Sequence, residues 1–120
     1  YFEEIDLCRR LRNKNKKIYL DSNIIVYHPK GGSHDDDINF EMELSRNWHW
    51  MWSTFYFHKK YDGFLISFAK TLPKLFSSLF LIYLLILKKE KKKIYYSRLS
   101  GLVNSMLLNK SWYRPNIDKS

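Results

Sequence analysis

The sequence predicts a mostly α-helical chain carrying two short β-strands. Three observations lead there. Apolar residues recur at three- and four-residue spacings over residues 3–13, 38–61 and 94–109. Two β-branched and aromatic runs, "KIYL" and "NIIVYH", are separated by Asp21 and Ser22, ordinary turn residues. Chain breakers are scarce, with four Gly and three Pro in 120 residues, and 18% of the chain is aromatic, which excludes collagen-like and low-complexity classes.

In chain order, residues 3–13 read as a helix. Leu7 and Leu11 stand four apart, and Glu3, Glu4 and Asp6 occupy the first turn, where the helix dipole favours negative charge. Asn13 to Lys17 is a polar turn, followed by the two expected strands and a Pro- and Gly-containing loop, "HPKGGSHDDD". Residues 38–61 form a helix with Phe40, Leu44, Trp48, Met51, Trp52 and Phe55 at helical spacing, ended by Asp62-Gly63. Residues 64–87 are strongly apolar but interrupted by Lys70, Pro73 and Lys74. Only thirteen residues run uninterrupted, short of the roughly 20 that a straight spanning helix needs, so a segment dipping into one leaflet or packed on protein is expected. The last helical segment, 94–109, aligns Leu99, Leu102, Val103, Met106 and Leu107 on one face.

Charge divides the chain. Residues 1–45 hold nine acids and seven bases; residues 46–120 hold three acids and fourteen bases. A basic half rich in Trp, Tyr, Phe and Leu suits an anionic membrane surface better than nucleic acid, which is not expected as a partner, and the "KKEKKK" run would sit at the headgroups. Cys8 is alone, which excludes a disulfide framework and a Cys-rich zinc site, and no secretory signal peptide is visible.

The stretch "FEEIDLCRRLRNKNKKIYL" followed by "VYHPKGGS" resembles the C-terminal part of the catalytic domain of family 2 glycosyltransferases, particularly the rhamnosyltransferase-like bacterial members. The match in order and spacing covers residues 2–33, and "SRNWHWMWSTFYFHKKYDG" resembles the helix that follows in many members. The resemblance implies an α/β, Rossmann-like GT-A fold for the full-length enzyme. It divides this chain into residues 1–37, the end of that catalytic domain, and residues 38–120, an aromatic and basic helical region expected to be membrane-associated. The donor half, with its Asp-x-Asp metal motif, would precede Tyr1, and the isolated piece would be inactive.

The implied roles follow residue by residue. Glu4 stands at the position of the catalytic base, which removes a proton from an acceptor hydroxyl, a poor nucleophile until deprotonated. Glu3 is the companion acid, Asp6 orients the site, and Arg10, four residues on, holds Asp6. His28 matches a histidine near the donor pyrophosphate that helps bind a divalent metal, Mg2+ or Mn2+, most of whose ligands would lie in the preceding part. Gly31 and Gly32 permit close backbone approach to phosphate, and Ser33 can donate to it. Arg46, in an Arg-Asn pair with Asn47, becomes a diphosphate contact.

The implied activity is an inverting transfer from a nucleotide-sugar donor to a glycan or lipid-linked acceptor in cell-surface polysaccharide synthesis, at the cytoplasmic face of the bacterial inner membrane. A small membrane-associated interaction protein without catalysis is the alternative. The run of Asp35, Asp36 and Asp37 reads as capping chemistry before a helix, and His49 and His58 as packing residues.

Overall fold

The structure, a computed structural model, describes residues 2–27 and 39–116. Four helices account for its regular structure: α1 (Glu3–Asn13), α2 (Asn39–Asp62), α3 (Phe64–Leu84) and α4 (Lys89–Met106). The helices expected from periodicity are all present. The first and second match their expected bounds to within a residue; α4 begins five residues earlier than expected and ends three earlier.

The two strands are not formed. No strand exists among the described residues, which are helical where they are regular, so neither a strand at 17–20 nor one over 23–27 is found here, His28 lying outside the described residues, and the class is helical, not α/β. The turn between the runs is real: Asn23 N–H donates to Asp21 Oδ1 at 2.9 Å, an Asx turn. A strand also needs a neighbour to take its main-chain N–H and C=O groups. Residues 17–27 have none among the described residues, and their large apolar side chains point into solvent, Leu20 at 97% and Tyr27 at 89% exposure.

The core lies between α2 and α4. Trp48, Met51, Phe55 and Leu102 are buried there, with Leu75 of α3 and Met106 packed against the cluster. Ser97, Gly101 and Ser105, four apart along α4, form the buried seam that faces α2, adjoining Leu102 and Met106 of the face that periodicity suggested. Leu102 is fully buried, while Leu107 is exposed. Small residues let two helix backbones approach closely. A Cβ added at Gly101 would fall inside contact distance of the Trp48 carbonyl oxygen, and 3.0 Å from its carbon. Hydroxyls seal the seam: Ser97 Oγ donates to the Leu44 carbonyl at 2.6 Å, and Trp48 Nε1 donates to Ser100 Oγ at 3.1 Å.

Gly63, at φ +82°, separates α2 from α3 by a single left-handed residue, a conformation that glycine adopts without strain. α3 runs as one helix through Lys70, Pro73 and Lys74, the residues that interrupt its apolar run in the sequence. Lys70 is neutralised by Asp62 at 2.8 Å. Pro73 removes one main-chain donor, a loss that packing of α3 on both α2 and α4 offsets. After α4 the chain turns at Leu108, φ +62°, and folds back over α2. Tyr113 stacks on Trp48 at 5.8 Å, and Trp52 Nε1 donates to the Asn109 carbonyl at 3.0 Å.

Gly101→Ala should therefore force α4 off α2 and lower stability by about 1–3 kcal/mol, as over-packing does. Gly101→Ser should be no better tolerated, although Ser97 and Ser105 flank it. Thermal unfolding followed by circular dichroism reads this as a Tm lower by several degrees; an unchanged Tm for Gly101→Ala would contradict the contact.

Candidate functional site

α1 is attached to α2 by side chains alone. Phe2 sets its ring against Trp50 and Phe57, both at 5.3 Å between centroids. Asp6 Oδ1 accepts from Lys60 Nζ and from the Tyr61 hydroxyl, each at 2.6 Å, while Asp6 Oδ2 takes Arg10 Nε at 2.9 Å. The four-residue pairing of Asp6 with Arg10 is thus present, with two further partners on α2. Those hydrogen bonds, from Lys60 first and Tyr61 second, hold the Asp6 carboxyl down at about 2, with the Lys60 and Arg10 charges adding to the effect against partial burial. The same bond to Asp6 raises both Lys60 and Tyr61.

Asp62 is the second fastening. Its Oδ1 takes Arg9 Nη2 at 3.1 Å, and its Oδ2 faces Lys70 Nζ at 2.8 Å and His58 Nδ1 at 3.1 Å. One carboxylate so ties α1, the end of α2 and α3 together. The Lys70, His58 and Arg9 hydrogen bonds, in that order, hold it well below the ordinary carboxylate range. Arg9 also lies over the Tyr61 ring at 4.2 Å, a cation–π contact.

Of the depressions on the α2 surface, two involve candidate site residues marked by the sequence, and α1 lines the first of them. One, of about 250 Å3, is lined by Phe2, Glu3, Asp6, Trp52, Ser53, Tyr56, Phe57 and Lys60. Its wall is an aromatic pair, Trp52 and Tyr56 stacked at 5.0 Å and 16°. The other, of about 370 Å3, is lined by Glu43, Arg46, Asn47, Trp50 and Arg98. There Asn47 Oδ1 accepts from Arg98 Nε at 2.7 Å, and Asn47 Nδ2 donates to the Glu43 carbonyl at 2.8 Å, so Asn47 holds Arg98 in place. Both volumes fall near the lower end of ordinary ligand clefts.

Of the residues singled out from sequence, Glu3, Glu4 and Asp6 share the first turn of α1, and Arg10 lies in its last. Glu4 is exposed and has no hydrogen bond or ion pair among the described residues. Arg46 is exposed one turn before Trp50 on α2, and Phe2, ahead of α1, packs on Trp50. His28, Gly31, Gly32 and Ser33 lie outside the described residues, as do Asp35, Asp36 and Asp37. Arg98 escaped sequence reasoning, since nothing local marks it: its link to Asn47 spans 51 residues. The aromatic wall likewise requires α1 and α2 to be in place before it becomes a groove.

His49 is a packing residue in the described structure. Its Nε2 lies 3.2 Å from the Tyr113 carbonyl and its Nδ1 3.1 Å from Ser111 Oγ, and burial pushes its pKa down. No group of three His, Cys, Asp or Glu suited to a metal occurs among the described residues. Asp6 and Asp62 already carry cationic partners. The described residues therefore do not fit a divalent cation. Comparison of the chain with family models, with curated proteins and with solved structures gives no match.

Because its folded pKa is depressed, Asp6 contributes stability that is fully present above its unfolded pKa, near 3.8, and lost as pH falls through about 2. A carbon-detected NMR titration should find the Asp6 carboxyl midpoint near 2, moving up toward the ordinary value in Lys60→Met; a midpoint near 3.8 in the unaltered protein would contradict the contact. Asp62→Asn should release α1, and trypsin should then cleave after Arg9, Arg10 or Arg12 several-fold faster, with cleavage in α4 unchanged.

Proposed function

We propose that this chain is part of an inverting glycosyltransferase that moves a sugar from a nucleotide-sugar donor to a glycan or lipid-linked acceptor. The observation that carries this reading is the juxtaposition at Trp50: the acidic start of α1 meets α2 there through Phe2, one helical turn from Arg46 and beside Arg98. Two guanidinium groups from α2 and α4 line one depression, and α1, seated on α2 through Phe2, presents an exposed carboxylate at Glu4: these are the two kinds of charge that glycosyl transfer must manage.

In this reading Glu4 accepts the proton of an acceptor hydroxyl while that oxygen attacks the anomeric carbon. The bond from that carbon to the diphosphate oxygen breaks on the opposite side, inverting the centre. An unengaged, exposed Glu4 suits a base, since a carboxylate tied up in ion pairs would resist protonation. Asp6 and Arg10 fix the helix that presents it. Arg46 and Arg98 take up the charge of the departing diphosphate, with Asn47 positioning Arg98. The Trp52–Tyr56 wall offers an apolar platform to one face of an acceptor sugar, and Glu3 and Asp6 on the rim can accept from its hydroxyls. His28, Gly31, Gly32 and Ser33 keep the donor-pyrophosphate role that the resemblance implies.

A second reading, a membrane-associated interaction protein without catalysis, is favoured by the exposed apolar side of α3. It gives the Arg46–Arg98 depression no task. The whole protein decides between them. Glu4→Gln should lower sugar transfer by about 10²–10⁴ while leaving nucleotide-sugar affinity unchanged. Normal turnover by Glu4→Gln would remove the base assignment, and no transfer from any nucleotide sugar by the unaltered protein would favour the interaction protein.

A further inference from the structure

α3 is built with its polarity reversed. The side it turns toward α2 and α4 carries small hydroxyl residues: Ser67, Thr71 and Ser78 are buried. Each hydroxyl donates within its own helix, Ser67 to the Gly63 carbonyl, Thr71 to the Ser67 carbonyl at 2.8 Å and Ser78 to the Lys74 carbonyl at 2.8 Å. The opposite side carries Leu65, Phe76, Phe80 and Tyr83, continued by Leu87 in the turn that follows, all exposed, with Leu65 at 81% and Leu87 at 90%. Helices of water-soluble proteins place these two sides the other way round. Self-satisfied hydroxyls against protein and large apolar side chains outward are what a lipid environment selects.

Charge decides what covers this face. Immediately beyond Leu87 come Lys88, Lys89 and Lys91, all exposed, around an open depression of about 430 Å3 that also includes Glu90. Lys89 and Lys91 stand at the positive end of the α4 dipole, where cations are unfavourable until an anion faces them. A second copy of the chain would bring its own excess of fourteen bases over three acids in residues 46–120 to the same face. An anionic lipid surface meets both the apolar side and the lysines.

We propose that the outward face of α3 lies in the headgroup–acyl boundary of an anionic phospholipid bilayer, with Lys88, Lys89 and Lys91 among the headgroups, so that the chain rests on one leaflet. α3 is the one helix among the described residues long and apolar enough to cross a membrane, at 21 residues and a mean hydropathy of 1.4 over its best window. Its arrangement opposes crossing. Lys70 and Lys74 lie within it, and Lys70 is bonded to Asp62 in the Arg9–His58 knot, charges that a crossing helix would carry into hydrocarbon. In-plane burial leaves those charges on the protein side. The inference holds whether or not the chain is a glycosyltransferase, because vesicle binding does not involve Glu4.

Flotation of the whole protein with vesicles of phosphatidylcholine, with and without roughly 30% phosphatidylserine, tests it. Binding should be at least about tenfold stronger to the anionic vesicles and should weaken with salt. The double variant Phe76→Glu and Phe80→Glu should lose binding to both kinds by at least about tenfold, with helix content unchanged because both side chains are exposed. The triple variant Lys88→Gln, Lys89→Gln and Lys91→Gln should lose only the anionic preference. Undiminished binding by the double variant would overturn the assignment. So would a dimer in vesicle-free buffer that the double variant abolishes, since the face would then belong to a second copy. Resistance of the membrane-bound protein to alkaline extraction would replace the in-plane arrangement by a crossing helix.

Discussion

The contact between Gly101 and the Trp48 carbonyl governs where everything else in the described structure can go. Two backbones in van der Waals contact leave no room between them for a layer of large side chains. Glycine inside a helix costs about 1 kcal/mol relative to alanine, so its presence here is offset by the packing it permits. Trp48, unable to lie in the seam, is enclosed beside it, bonded to Ser100 and covered by Trp112 and Tyr113. The apolar core that results is small, centred on Met51, Phe55 and Leu102. Such a core draws in few large apolar residues of a third helix: α3 docks through Ser67, Thr71 and Ser78 with Leu75 beside them and Phe64 against Phe55, leaving Leu65, Phe76, Phe80 and Tyr83 outside.

The same constraint shapes the candidate site. With α4 pressed on one side of α2, the other side of α2 is free to receive α1, and the two attachments differ in kind. The α2–α4 seam is held by shape, whereas α1 is held by Phe2 and by two carboxylates, Asp6 and Asp62, each facing several cations. The carboxylates are mostly covered, but their cationic partners stand partly in solvent, so the attraction is screened by water and salt. α1 is accordingly the element whose position responds to pH and ionic strength, and the carboxylates at its start move with it.

Much of the helical layout was legible in the sequence, because three- and four-residue spacing reports a helix whatever that helix packs against. The Asp6–Arg10 pair was legible for the same reason, being local. Side assignments were less so. On α4 the expected face was right at Leu102 and Met106 but not at Leu107, since the sequence does not show that a Ser-Gly-Ser seam beside it brings backbones closer than leucines would allow. The expected strands failed because β-propensity reports what fits a sheet and supplies no neighbour: Ile18, Ile24, Ile25 and Val26 stand exposed beside no partner among the described residues. Arg98 could not be found at all, since its place beside Arg46 is created by the α2–α4 crossing.

The central claim is that Arg46 and Arg98, joined by that crossing, form a diphosphate subsite. The most direct measurement is an NMR titration of the whole protein with a nucleoside diphosphate, following Arg98 Nε–H and the Trp50 indole N–H. The account predicts that both signals shift along one saturation curve, and that Arg46→Ala weakens that curve by roughly tenfold, as loss of a charged hydrogen-bonding partner does. Unmoved signals at millimolar ligand, or a curve indifferent to Arg46→Ala, would contradict it.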